Sequence, residues 1–95
     1  MEFEWDEAKR VATIAKHGID FQDAIKIFAG NVFRMELALV GGEHRILYVG
    51  LLRHREIVVV TTMRGQKVRI ITARRARTNE RRAYHAHDFG RGAAD

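Results

Sequence analysis

The first thirty residues of the chain carry apolar side chains at the three- and four-residue spacing of an amphipathic helix. The first apolar stripe consists of Ala8, Val11, Ala12 and Ala15. Asp6 precedes it as a typical N-cap, and Gly18 follows it in a position that suits a left-handed C-cap. The pattern predicts a helix over about residues 7–17.

A second helical stripe opens at Ile19 and Asp20 and ends near Gly30. Its apolar positions are Phe21, Ala24, Ile25 and Phe28. Before both helices, the alternation of residues 3–5 predicts a short strand.

From residue 32 the apolar positions recur at every second residue, which is the period of a strand. The predicted strands cover about residues 33–39, 45–52, 56–63 and 67–72, with turns at Gly41-Gly42, Arg53–Arg55 and Gly65. Beyond the last strand, residues 74–86 predict a helix, with Thr78 as a candidate cap.

These elements predict an α+β domain. We expect a four-stranded antiparallel meander, with the short N-terminal strand in addition, two N-terminal helices on one of its faces, and a C-terminal helix. The chain has 95 residues, which suits one domain. We expect that domain to span residues 1–86 and residues 87–95 to form a flexible tail.

Positive charge is concentrated in the last third of the chain. The whole chain has a formal net charge of +5, whereas residues 64–95 hold nine basic and three acidic side chains, a net of +6. A local basic patch indicates an anionic partner, with nucleic acid the first candidate, or else a solvated face that keeps the protein in solution.

Several features are missing from the sequence. The chain has no cysteine, which excludes disulfides, thiolate zinc sites and a cysteine nucleophile. No stretch has the length and apolarity of a membrane span, and the acidic N-terminus differs from a signal peptide. We therefore expect a cytoplasmic protein that does not engage a membrane.

The turn at Gly65 predicts the register of the last hairpin. If Gly65-Gln66 is a two-residue turn, Arg64 pairs with Lys67 and Thr62 with Arg69. One face then carries Val58, Val60, Thr62, Arg64, Lys67, Arg69, Ile71 and Ala73. The other, uncharged face carries Ile57, Val59, Thr61, Met63, Val68, Ile70 and Thr72 and is the expected core face.

This register places Arg64, Lys67 and Arg69 close together, where like charges repel one another. A bound anion would remove that conflict, so these residues are candidates for contact with phosphate. Arg74 and Arg75 continue the basic run, whereas Arg77 and Arg82 are typical of a solvated helix surface.

The sequence resembles the BrnT toxins in segments that are widely separated along the chain. Its N-terminal part matches in Phe3-Glu4-Trp5-Asp6, Lys9, Lys16-His17-Gly18 and Phe21. Its C-terminal part matches in Val58–Thr61, Arg64-Gly65, Val68–Ala76, Glu80-Arg81 and Tyr84. Thr72 departs from the pattern, since serine is commoner there.

The resemblance implies the toxin of a type II toxin–antitoxin pair, with a fold similar to that of RelE-type ribonucleases. Such a toxin cuts RNA without a metal, inhibits translation and growth, and is neutralised by a BrnA-type ribbon-helix-helix antitoxin. Operator DNA would then be contacted only through the toxin–antitoxin complex. No cofactor is expected.

Metal-independent cleavage of RNA needs a base, an acid and cations that stabilise the crowded phosphate. The candidate catalytic residues are Arg64, Arg69, His17 and Glu80, and the candidate RNA-binding residues are Lys16, Lys67, Arg74, Arg75 and Tyr84. Three of these residues have competing interpretations. His17 could simply end a helix, Glu80 could be a salt-bridge partner, and Tyr84 could pack in the core.

Two functional alternatives remain open. The chain could be a basic module that binds nucleic acid without cutting it, or an interaction protein that serves mainly to engage its antitoxin as a corepressor. His85 and His87 lie two residues apart on the predicted helix and face different ways, so a metal site is not expected.

Overall fold

The computed structural model of the chain describes residues 1–87 and 89. Most of the predicted tail, residues 88 and 90–95, lies outside the described residues, and the domain boundary at residue 86 stays a prediction. None of the helices in the described part is long and apolar enough to cross a membrane.

The described residues fold into a five-stranded mixed sheet with three helices, which confirms the α+β class. The elements are β1 Glu2–Trp5, α1 Glu7–His17, α2 Phe21–Ala24, a 3₁₀ turn Ile25–Ala29, β2 Phe33–Val40, β3 Glu43–Leu52, β4 Arg55–Arg64, β5 Lys67–Arg75 and α3 Thr78–Ala86. The strand order is β1-β5-β4-β3-β2. From β2 to β5, each strand pairs antiparallel with the next strand along the chain. Strand β1 adds a parallel edge strand beside β5.

Helix α1 has the predicted bounds because both its ends are fixed locally. The Asp6 side chain accepts from the Ala8 N–H at 2.8 Å, and Gly18, at φ 70°, donates its N–H to the Ile14 carbonyl at 2.8 Å. The predicted apolar stripe, however, is exposed to solvent, and Thr13 is the buried residue of α1. Three alanines and one valine offer little area to bury, so the larger side chains that follow α1 fill the core instead.

The second predicted helix is only partly α-helical. Asp20 caps one α turn through the Gln22 N–H at 2.9 Å, and the chain then tightens into the 3₁₀ turn. That turn lies so close to the sheet that a Cβ atom on Gly50 would approach Ile27 Cβ to 2.8 Å. Glycine is therefore required at position 50.

The C-terminal boundary between strand and helix was predicted wrongly. Strand β5 continues to Arg75, and α3 begins at Thr78 rather than at Arg74. The Ala76 N–H donates to the Glu56 carbonyl at 3.0 Å, which extends the pairing of the chain along β4. Arg74 and Arg75 therefore lie on a strand and point to opposite faces of the sheet.

The hairpin register is as predicted near the turn and changes halfway along. Arg64 pairs with Lys67 and Thr62 with Arg69, but Thr61 pairs with Ile70 and Val60 with Thr72, which leaves Ile71 unopposed as a β-bulge. The bulge reverses the predicted faces of residues 72 and 73. Ala73 lies opposite Val59 and packs in the same core as Val59, whereas Thr72 lies on the face of Val60.

Both faces of the sheet centre are buried. On one face α2 and the 3₁₀ turn cover a core of Ile19, Phe21, Ala24, Ile27, Ile57, Val59, Ile70 and Ala73. On the other face α3 covers Leu47, Val49, Val58 and Val60 with Ala76 and Tyr84. The bulge decides which face receives each of the last two arginines of β5. Arg74 lies opposite Val58 and Arg75 opposite Ile57.

Candidate functional site

A pocket of about 460 Å³ opens at one end of the sheet, where the end of α1, the turn between β3 and β4, and the end of β5 meet. Its lining residues are His17, Gly18, Ile19, Leu52, Arg53, Arg55, Ile57 and Arg75. The lining contains four basic side chains and no carboxylate, so the pocket offers an anion several donors at once.

Local structure explains why two of these side chains line the pocket. His17 is the last residue of α1, and Gly18 turns the chain away in the left-handed conformation. Arg75 follows the bulge at Ile71, which moves it to the face of Ile57. Bulges often redirect side chains next to functional sites.

The turn between β3 and β4 supplies Arg53, and the first residue of β4 is Arg55; the sequence analysis selected neither of these pocket residues. Arg53 and His54 have positive φ angles of 49° and 67°. Each non-glycine residue in this conformation costs about 1–2 kcal/mol, and asparagine and glycine are the usual residues of such a two-residue turn. The available signal was therefore an Arg-His-Arg sequence where a hairpin turn favours Asn-Gly.

The cations of the pocket have few acidic partners. Within the described residues, His17, Arg55 and Arg75 form no ion pair. Arg53 approaches Asp23 at 3.8 Å, but its side chain is 73% exposed, so this contact is weak. The charge of the pocket is therefore available to a ligand.

The cations predicted at the hairpin turn do lie together, and each faces a carboxylate. Glu4 Oε2 accepts from Arg69 Nη1 at 2.6 Å, across the parallel pairing of β1 and β5. The longer pairs are Arg64 with Glu43 and Lys67 with Glu2, both at 3.9 Å. The repulsion that suggested a bound anion is thus reduced within the fold, mainly at Arg69, because the longer pairs of Arg64 and Lys67 are exposed and weak.

These turn cations are also distant from the pocket. Arg69 and Arg75 are six positions apart on the same strand, which corresponds to about 20 Å along an extended chain. The structure therefore does not bring Arg64, Lys67 and Arg69 together with His17.

Glu80 and Arg74 form a two-pronged ion pair on the opposite face. Arg74 Nη1 and Nη2 donate to Glu80 Oε1 and Oε2, both at 2.8 Å, and Oε1 also accepts from the Arg77 N–H at 2.7 Å. Arg74 lowers the pKa of the Glu80 carboxyl, and Glu80 raises the pKa of Arg74. A buried carboxylate with occupied oxygens and a lowered pKa is a poor base, which favours the salt-bridge interpretation of Glu80.

Tyr84 is buried, and its hydroxyl donates to the Asn31 carbonyl at 3.2 Å. Its ring packs in the core beneath α3, which favours packing over stacking on a nucleic-acid base. His85 pairs with Glu56. Among the described residues there is no group of three acidic, histidine or cysteine side chains that could hold a metal ion.

Lys16 lies beside the pocket in a second, shallower groove. Lys9 and Thr72 line the same groove, and His17 lines both the groove and the pocket. Of the residues selected from sequence, the structure therefore brings together Lys16, His17 and Arg75.

Comparison with known proteins gives one family. The family model described as the ribonuclease toxin, BrnT, of type II toxin–antitoxin systems matches residues 5–80. A search of curated proteins finds no match. Because the matched region covers most of the 95 residues, the chain belongs to the BrnT family of ribonuclease toxins of type II toxin–antitoxin systems.

Proposed function

We propose that the chain is a metal-independent endoribonuclease and that the pocket at the end of α1 is its catalytic site. The observation that carries this proposal is the convergence of His17, Arg53, Arg55 and Arg75 on a pocket whose lining includes no carboxylate. Arginine suits a phosphodiester because its planar guanidinium donates to two phosphate oxygens at once.

The reaction requires no group beyond the RNA and the chain. The 2′-hydroxyl of the substrate attacks the adjacent phosphorus, a bond forms between them, and the bond from phosphorus to the 5′-oxygen breaks. One proton leaves the 2′-oxygen and another reaches the departing 5′-oxygen, giving a 2′,3′-cyclic phosphate and a 5′-hydroxyl. Negative charge grows on the phosphate oxygens in the transition state, where the guanidinium groups stabilise it.

His17 is the histidine of the pocket, and histidine is the side chain that serves most often as a general acid or base, so we assign it the proton transfer. Arg55 and Arg75 hold the phosphate, since no ion pair within the described residues competes for them. Ile19, Leu52 and Ile57 form an apolar wall that lowers the local dielectric and strengthens these contacts. A divalent cation would be repelled by this set of donors, which supports the metal-independent reaction.

We also propose that a BrnA-type antitoxin neutralises the toxin by binding it, and that operator DNA is contacted only through this complex. Family membership supports an antitoxin partner and an RNA substrate. The small sheet with helices packed on it supports a likeness to RelE-type ribonucleases. Co-expression with the product of the neighbouring gene tests the partner. We expect the two proteins to purify as one complex and growth to be restored.

The catalytic site is tested with purified protein and single-stranded RNA in EDTA. We expect the wild type to cleave RNA, with Arg75→Ala, Arg55→Ala and His17→Ala strongly impaired and Arg64→Ala and Arg69→Ala close to wild type. RNA carrying 2′-O-methyl groups should remain intact. The site is placed wrongly if the two turn variants lose activity and the pocket variants keep it, and intact RNA with every protein contradicts the ribonuclease proposal.

A further inference from the structure

A groove of about 270 Å³ runs along α1 beside the pocket. Its lining residues are Lys9, Ala12, Thr13, Lys16, His17, Ile71 and Thr72. Like the pocket, the groove is lined by basic side chains and, among the described residues, by no carboxylate, and Thr13 and Thr72 add hydroxyl groups. An anionic ligand therefore meets attraction and hydrogen-bond donors along its length.

The pocket and the groove adjoin at His17. His17 lines both of them, so a chain that places one phosphate in the pocket reaches the groove with its next units. A ligand that occupies both must extend past His17, which suits a flexible strand rather than a compact ligand.

The floor of the groove is the part of β5 that β1 leaves uncovered. Strand β1 pairs with β5 only as far as Ile70, and the bulge follows at Ile71. Ile71 and Thr72 both line the groove, although consecutive residues of a regular strand point to opposite faces. The bulge thus shapes the groove as well as aiming Arg75 into the pocket.

The two lysines of the groove are placed to hold more than one phosphate. Lys9 and Lys16 are seven residues apart on α1, which is about 10 Å along the helix axis. Neither forms an ion pair within the described residues. Lysine binds phosphate as a point charge without reading sequence, so these contacts serve affinity for the backbone.

We propose that the groove between α1 and β5 is a second subsite, which binds the phosphate backbone of single-stranded RNA next to the cleaved bond. Lys9 and Lys16 then set the affinity for longer strands, and substrates too short to enter the groove bind only through the pocket. This inference rests on the proposed function for the position of the cleaved bond, but binding in the groove can be measured without cleavage.

The test measures binding of fluorescein-labelled 2′-O-methyl oligouridylates, which cannot be cleaved, by fluorescence anisotropy. Wild type should bind the hexanucleotide much more tightly than the dinucleotide. The Lys9→Ala/Lys16→Ala double variant should lose most of this difference, and its slope of log affinity against log salt should fall by about 1.4, or 0.7 for each lost phosphate contact. Lys26→Ala removes an exposed lysine that pairs with Asp23 and is the control.

A second pair of variants separates the groove from general charge effects. Ala12→Glu and Ala8→Glu make the same change of charge at two exposed positions of α1, of which only Ala12 lines the groove. Ala12→Glu should weaken binding of the hexanucleotide at least several-fold more than Ala8→Glu does, with unchanged circular dichroism for both. Equal weakening by the two variants, or an unchanged salt slope in the double-lysine variant, overturns the subsite.

Failure of the subsite is distinguishable from failure of the proposed function. If wild type binds long strands through Lys9 and Lys16 but leaves unmodified RNA intact, the ribonuclease proposal fails and the subsite stands. If wild type cleaves RNA while the groove variants bind hexanucleotide and dinucleotide as wild type does, the subsite fails and the catalytic pocket stands.

Discussion

The two ends of the hairpin formed by β4 and β5 are both rich in cations, yet they differ in what surrounds those cations. At the turn end, Arg64, Lys67 and Arg69 each face a glutamate. At the open end, Arg55 and Arg75 line a pocket and form no ion pair within the described residues. Charge alone therefore does not identify a phosphate site, because a cation already paired within the fold has less to offer a ligand.

The largest effect on stability is expected for Glu80→Ala, which breaks the ion pair between Arg74 and Glu80. Removing one partner of a buried pair leaves an uncompensated charge and costs about 3–5 kcal/mol. Glu80 also accepts from the Arg77 N–H, so the start of α3 loses its cap. Urea unfolding of wild type and variant measures this loss, and a change below 1 kcal/mol would contradict the structural role of Glu80.

The next largest expected effect is on the cleavage rate, and it tests the open end of the hairpin against the turn end. Arg75→Ala should reduce the cleavage rate about 10²- to 10³-fold, as expected when a donor to a developing charge is removed. Its stability should stay within about 0.5 kcal/mol of wild type, because exposed side chains without partners contribute little. Initial rates and urea unfolding check both quantities. A variant that cleaves normally or unfolds much more easily contradicts the assignment.

The strained turn offers a change with opposite effects on stability and activity. Replacing Arg53 and His54 by Asn and Gly should stabilise the protein by about 1–2 kcal/mol in total, because these residues accept positive φ angles. Cleavage should become slower, since the pocket loses the Arg53 guanidinium. Thermal unfolding and initial rates of the double variant are the measurements, and a faster enzyme would show that Arg53 does not assist the reaction.

Arg69→Ala should have only a small effect on both stability and cleavage. It removes a partly exposed pair with Glu4, which is worth about 1 kcal/mol or less. Cleavage should be unchanged within a factor of about two. A double-mutant cycle with Glu4→Ala gives the coupling energy between Arg69 and Glu4. A large loss of activity in Arg69→Ala would indicate that the catalytic site lies at the hairpin turn.

Lowering the pH should remove the stabilisation that the ion pair between Arg74 and Glu80 provides. Arg74 holds the folded-state pKa of Glu80 below the usual value of 4.5, so the folded form binds protons less readily than the unfolded chain. The stabilisation is complete above that usual value and is lost as the pH falls through the folded pKa. The difference in unfolding free energy between wild type and Glu80→Gln should therefore shrink as the pH drops below 4.5. A constant difference contradicts the pairing.

The sequence predicts those parts of the fold that depend on neighbouring residues. Helix α1 begins and ends where Asp6 and Gly18 place its caps, and the turn at Gly65 fixes the pairing of Arg64 with Lys67. Both signals act within a few residues of the structure that they determine, so they can be recognised in one sequence.

The rest depends on contacts between distant segments. The bulge at Ile71 has no local signal, yet it decides that Arg75 enters the pocket while Arg74 meets Glu80. The neutralisation of Arg69 requires β1 to pair parallel with β5. This pairing places Glu4 beside Arg69, although most of the chain separates the two residues in sequence. For this reason the sequence shows where the basic residues lie along the chain but not which of them are already paired within the fold.

The most direct measurement is a titration of the ¹⁵N-labelled protein with an uncleavable 2′-O-methyl oligouridylate, followed through the backbone amide resonances. The cations that line the pocket should bind the phosphate, so the resonances of Gly18, Arg53, Arg55 and Arg75 should shift strongly. Those of residues 64–69, at the turn, should stay in place. The reverse pattern, with shifts confined to residues 64–69, would contradict the assignment of the pocket.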